Sequence, residues 1–138
     1  MDAEECADLL ASAALGRLAV MIDGHPEIFP VNHVYDPEAG CVTFPSNAGT
    51  KLHAALAAPS VAFEADGFCP DGSRGWSVLV VGTVEEIGDA ETIARLATNR
   101  EQLWRTGSSA RWLRVVPSKV TGRRICNPDR APAVADIE

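Results

Sequence analysis

The sequence predicts a mainly β domain: a small antiparallel barrel of about six strands, with two or three helices packed outside it. Three observations carry this. Short apolar runs with alternating polarity recur along the chain and turn at Gly and Pro. The first three runs are joined by two tight turns, which makes an antiparallel meander. The 138 residues, 46% of them hydrophobic, suffice for one compact core and leave little room for a second.

The elements follow in order. Asp2 is placed to cap a first helix, with Glu5 three residues on, and Cys6, Leu9 and Leu10 on its apolar face; it should fade by about Ala14. Leu15 to Ile22 is an apolar strand that ends at Asp23-Gly24, a hairpin turn dipeptide. Glu27 to Tyr35 reads as one return strand, with Phe29, Val31, His33 and Tyr35 on one face. Asp36 to Gly40 is the next turn, and Cys41 to Phe44 a third strand that Pro45 should stop.

Asn47 is a candidate cap for a helix from Ala48 to Ala58, with Leu52, Ala55 and Leu56 inward and Pro59 beyond its end. Ser60 to Asp66 is a fourth strand. Trp76 to Ile87 is the longest strand signal, and Gly82 within it predicts a bulge or bend. Asp89 caps a helix to about Leu103. Trp112 to Val116 is the sixth strand; Pro117 breaks it, and Val120 to Ile125 continue the pairing. Residues 1–126 form the domain and 127–138 a tail, with Pro128 and Pro132. Closing the barrel would remove exposed edges.

Charge is unevenly spread. Residues 1–94 hold three bases against fifteen acids, whereas residues 95–130 hold nine bases against two acids. The formal net charge of −7 argues against nucleic acid as a partner. Arg95, Arg100 and Arg105 read as the solvated face of a helix. No run approaches a membrane span, and the acidic start, Met1 to Glu5, is unlike a signal peptide. Cys6, Cys41, Cys69 and Cys126 have no metal or redox spacing, so a reduced cytoplasmic protein is expected.

His25, His33 and His53 have no paired spacing, and no nucleophile elbow or Walker loop is present. One turn has anion-binding logic. Ser46-Asn47-Ala48-Gly49-Thr50-Lys51 lies between a strand and a helix N-terminus. There backbone N–H groups, hydroxyls and the Lys51 ammonium can meet a phosphate.

The ordered motifs Leu15-Gly-Arg-Leu-Ala-Val, Pro30-Val-Asn-His-Val-Tyr, Gly49-Thr-Lys-Leu, Val61-Ala-Phe-Glu and Gly75-Trp-Ser-Val-Leu-Val-Val-Gly stand in a characteristic succession. Trp112-Leu-Arg-Val-Val-Pro and Val120-Thr-Gly-Arg-Arg-Ile follow them. Over residues 5–126 the chain resembles the pyridoxamine 5′-phosphate oxidase-like FMN-binding split-barrel family, in its short single-domain branch. The resemblance implies a six-stranded split barrel, a homodimer, and FMN at the dimer interface, with a small-molecule substrate turned over by an oxidoreductase.

It assigns Pro30, Val31 and Asn32 to the strand beside the flavin ring, with the Asn32 amide at the ring's polar edge. Ser46, Thr50, Lys51 and Leu52 fall at the phosphate turn, with Lys51 as charge partner. Trp76 and Ser77 open the strand flanking the ring or ribityl chain, and Arg123 and Arg124 reach toward the cofactor or the second subunit. One departure stands out. Relatives commonly carry a base followed by Thr at the end of the third strand, and here those positions are Pro45-Ser46. The competing readings are a deazaflavin in place of FMN, a haem-binding sensor with His33 and His53 as ligands, or a barrel that has lost its cofactor.

Overall fold

The computed structural model describes residues 1–99, 110–126 and 128–129. Its order is α1 (Ala3–Ser12), β1 (Gly16–Ile22), β2 (His25–Val31), β3 (Val34–Asp36), β4 (Cys41–Ser46), α2 (Thr50–Ala57), β5 (Val61–Phe68), β6 (Arg74–Glu86), α3 (Ala90–Asn99) and β7 (Arg111–Cys126). The strands form one antiparallel sheet in the order β2-β1-β5-β6-β7-β4-β3.

The class is as expected, mainly β with peripheral helices, and the strand count is seven rather than six. The Glu27–Tyr35 segment is two strands. The alternation of burial breaks after Asn32, where His33 and Val34 are buried in succession. The two halves then part company: β2 pairs with β1, and β3 pairs with β4.

This break shapes the molecule. β2 and β3 are the two edges of the sheet, yet only Asn32 and His33 separate them in the chain. A link from Val31 to Val34 spans at most about 11 Å. The sheet must therefore curl until its edges meet, without hydrogen bonds across the gap. The barrel is split, not closed as strand pairing alone would make it.

Local chemistry explains the elements. Asp2 and Glu5 complete a capping box on α1: Glu5 N–H donates to Asp2 at 2.8 Å and Asp2 N–H to Glu5 at 3.2 Å. Asp23 (φ 53°) and Gly24 (φ 84°) make the β1–β2 turn with both central residues left-handed. Asp89 caps α3 by accepting from Thr92 N–H at 3.1 Å.

The register between β6 and β7 shifts at Val81/Gly82, where Gly82 faces Pro117 and Val81 faces Lys119. Ser118 is the extra residue, and its hydroxyl donates to the Val81 carbonyl at 3.0 Å. A Cβ on Gly82 would lie 2.1 Å from the Val116 carbonyl oxygen, so this close approach requires glycine. The bulge also absorbs Pro117, and β7 runs through it unbroken. β4 likewise continues past Phe44 through Pro45 to Ser46. Its pairing with β3 ends at Thr43, so Pro45 lies where that edge needs no N–H donor.

The main core gathers Leu18, Phe44, Phe63, Val78, Leu113 and Val115, all fully buried, beneath α1 and α2. A second cluster of Val34, Ile87, Leu96 and Trp112 seats α3. Arg95 of α3 is not merely solvated: it donates to both oxygens of buried Asp36, at 2.9 and 3.3 Å. That hydrogen-bonded pairing holds the Asp36 carboxyl below its ordinary range.

Among the described residues, four ion pairs join the two unevenly charged segments. Arg95 pairs with Asp36, Arg111 with Glu86, Arg114 with Glu85 and Arg124 with Glu5, each joining the basic segment to the acidic one. Arg100, Arg105, the end of the expected third helix and most of the tail lie outside the described residues. The four cysteines are free thiols. Among the described residues no helix is long and apolar enough to cross a membrane.

Candidate functional site

A cavity of about 190 Å³ opens at the split, lined by Pro30, Val31, Asn32, Pro45, Ser46, Asn47 and Lys51. Each lining segment is there for a backbone reason. Val31 and Asn32 come from the end of edge strand β2. Pro45 and Ser46 come from the stretch of β4 that β3 no longer covers. Lys51 comes from the first turn of α2, whose N-terminal N–H groups have no side-chain cap. Gly49, at φ 156°, is the cap residue, in place of the expected Asn47. A side chain there would meet nothing within 4 Å, so the approach to these N–H groups is open.

The polar groups of the cavity are unusually free. Asn32 Oδ1 is buried and accepts no hydrogen bond. An unpaired buried acceptor costs free energy that a ligand N–H would recover. Ser46 is buried, its hydroxyl donating to the Asn47 carbonyl at 3.2 Å, and its lone pairs remain. The Lys51 ammonium lies 5.7 Å from the centre of the Phe29 ring. Burial depresses its pKa, and no charge offsets that effect. An anion in the cavity would supply the missing counter-charge. Together these groups offer one hydrogen-bond acceptor, one hydroxyl, one cation and free helix N–H groups, the complement of a ligand with a polar ring edge and a phosphate.

Of the residues the sequence singled out, Val31, Asn32, Ser46 and Lys51 meet here. Thr50 is exposed at the start of α2, and Leu52 turns into the core with 2% exposure; neither lines the cavity. Trp76, Ser77 and Arg123 stand on β6 and β7, away from it. Trp76 packs over Gly67, where a Cβ would come within 2.9 Å of the indole nitrogen. Ser77 lies between Asp66 and Arg123 across three neighbouring strands. Arg124 is held by Glu5 at 2.5 Å.

His33 and His53 do not line the cavity either: His33 is 2% exposed and bonded to the Leu10 carbonyl, and His53 is exposed on α2. Among the described residues no group of three or more His, Cys, Asp or Glu could hold a metal ion. Pro30, placed by the resemblance on the strand beside the ring, is a wall of the cavity, and so is Pro45, noted in the sequence only as a missing base. Both sit where an edge strand lacks a ladder partner, a feature visible only once the strand order is known.

The profile of a protein family described as pyridoxamine 5′-phosphate oxidase matches residues 2–124. An uncharacterized protein of Mycobacterium tuberculosis, Rv0080, is 32% identical over 137 residues, covering 96% of this chain and 88% of that protein. The FAD binding protein from Mycobacterium smegmatis is 38% identical in sequence. It superposes with a TM-score of 0.75 over 92% of this chain and 98% of its own. An FAD-binding protein from Mesorhizobium loti, at 24% identity, shares the fold with a TM-score of 0.77 over 90% of this chain and 93% of its own.

Proposed function

Because the chain belongs to the pyridoxamine 5′-phosphate oxidase family, we propose that it binds a flavin at the split of its barrel. FMN is the form we assign, and the chain acts as a cytoplasmic homodimeric oxidoreductase on a small-molecule substrate. One observation carries the reading: Asn32, whose buried Oδ1 has no partner, and Lys51, whose ammonium is desolvated, line one cavity. Asn32 would accept from the ring's N–H edge. Lys51, Ser46 and the first N–H groups of α2 would hold the phosphate. FAD carries the same riboflavin phosphate, which is consistent with the similar proteins described as FAD-binding.

Pro45 supplies neither charge nor N–H, so Lys51 carries the anion with the helix terminus. A bound flavin would itself accept and return the hydride, so the chain needs only to bind, orient and shield it.

The homodimer has its own support. The cavity holds about 190 Å³, below the roughly 300 Å³ at which ligand pockets begin, so a second copy would supply the remaining wall. Phe68, Leu79, Val116 and Ile125 are exposed on the outer face of β5, β6 and β7, an apolar patch suited to a second copy. Ser77 and Arg123 share that face.

Excess FMN is expected to raise the thermal midpoint of the purified protein. At a hundredfold over Kd the stabilisation is about 2.7 kcal/mol. A midpoint unchanged by millimolar FMN would remove flavin from the account.

A further inference from the structure

Asn32 and His33 carry the chain across the split, and neither belongs to the strand ladder. The His33 side chain is what fixes this crossover. Its ring is 2% exposed and meets Phe63 edge-on, with centroids 4.9 Å apart and planes at 71°. Nε2 donates to the Leu10 carbonyl at 2.9 Å. That carbonyl is one of the last four of α1, which have no partner within the helix. One imidazole therefore ties the C-terminal turn of α1 to the residue beside Asn32. The other ring nitrogen, Nδ1, is buried without a partner.

We propose that His33 is a proton-sensitive positioning residue: neutral, it latches α1 to the crossover and holds Asn32 at the cavity; protonated, it releases both. The consequence for the ligand rests on the flavin reading above; the latch itself does not.

With Nε2–H engaged, an added proton must go to Nδ1, where no acceptor waits. The charge would also be buried, which is why burial holds this histidine below its ordinary pKa. The surrounding elements bring no compensating carboxylate to the ring. On α1, Glu5 is bound by Arg124, and Glu4 and Asp8 are exposed. On β3, Asp36 is bound by Arg95, and on β5, Glu64 is bound by Arg17. Lys51 of α2 lines the cavity, with its ammonium 5.7 Å from the Phe29 ring centre.

The sign follows. The latched form excludes the proton that the released form binds with a pKa of about 6.5. Falling pH therefore favours release, by up to about tenfold per unit below that value.

The latch can be read without any ligand. Cys6 of α1, with Met1 just before the helix, covers β7 at Gly122, and Cys6 is 2% exposed. Labelling by dithiodipyridine, resolved by mass spectrometry, reports release of α1, with half-exposed Cys69 and Cys126 as references in the same chain. Between pH 7.5 and 5.5, Cys6 labelling relative to those references should rise by up to about tenfold. The Kd for FMN should weaken only in proportion to the latched fraction that is lost.

His33→Gln can still donate to Leu10 but does not titrate. It should flatten the labelling curve and leave FMN binding without the dependence that tracks Cys6 exposure. Cys6 labelling that does not change with pH in the native protein would overturn the proposal, as would an equal pH dependence in His33→Gln. Should that variant not fold, the carbon-13 NMR titration of His33 in the native protein decides. Titration in step with Cys6 exposure supports the latch; titration without exposure, or none down to pH 5, overturns it. FMN binding at no pH would defeat the flavin reading and leave the Cys6 result standing.

Discussion

Lys51→Ala is expected to weaken FMN binding by about ten- to a hundredfold while leaving riboflavin binding nearly unchanged. The size comes from the charge-assisted hydrogen bond that a phosphate would make to the ammonium, about 1.5–3 kcal/mol. The selectivity comes from position: Lys51 lines the cavity from the first turn of α2, whereas Asn32 lines it from the end of β2. Burial already disfavours its charge. Among the described residues no carboxylate forms a salt bridge with it, so the native protein has no competitor to displace. Fluorescence titrations of both ligands against both proteins make a cycle. The loss from FMN to riboflavin in the native protein should largely vanish in the variant. An equal loss for riboflavin would move Lys51 away from the phosphate.

Phe63→Ala should lower the unfolding free energy by about 3–5 kcal/mol, among the largest losses available to a single core substitution. Phe63 is fully buried at the centre of the β2-β1-β5-β6 region. Its ring fills the space above Gly16, where even a Cβ would come within 2.2 Å, and it backs the His33 imidazole. Removal therefore leaves a cavity at the point where α1, the crossover and the barrel meet. Urea unfolding measures the loss, with Ile28→Ala as the control. Ile28 is 66% exposed, and its truncation should change stability by less than about 0.5 kcal/mol. Similar losses at both positions would contradict this picture of the core.

Much of the fold was legible in residues with one physical use. Asp2 with Glu5, Asp23-Gly24 and Gly82 each need a cap, a left-handed turn or a close approach, and the structure has all three. The split of the second strand was not legible. Period-two alternation fits Glu27 to Tyr35 throughout, and only long-range pairing shows that β2 and β3 have different neighbours. Pro45 was read as a stop because a lone proline does not reveal that its edge of β4 is unpaired. The Arg95–Asp36 contact joins residues far apart in the chain, and helical spacing cannot show it.

The candidate site divides in the same way. Lys51, Ser46, Asn32 and Val31 sit next to a turn or a strand end and converge. Leu52 follows its helical phase into the core. Trp76, Ser77 and Arg123 belong to β6 and β7, and any role at the cavity would depend on how a second copy packs against them.

The central claim is a flavin held at the split of the barrel. Titrating FMN into the protein while recording the visible absorption spectrum tests it most directly. The account predicts a saturable change in the flavin bands that reaches its limit at one flavin per chain and weakens in Lys51→Ala. A flavin spectrum that stays that of free FMN at every protein concentration would contradict it.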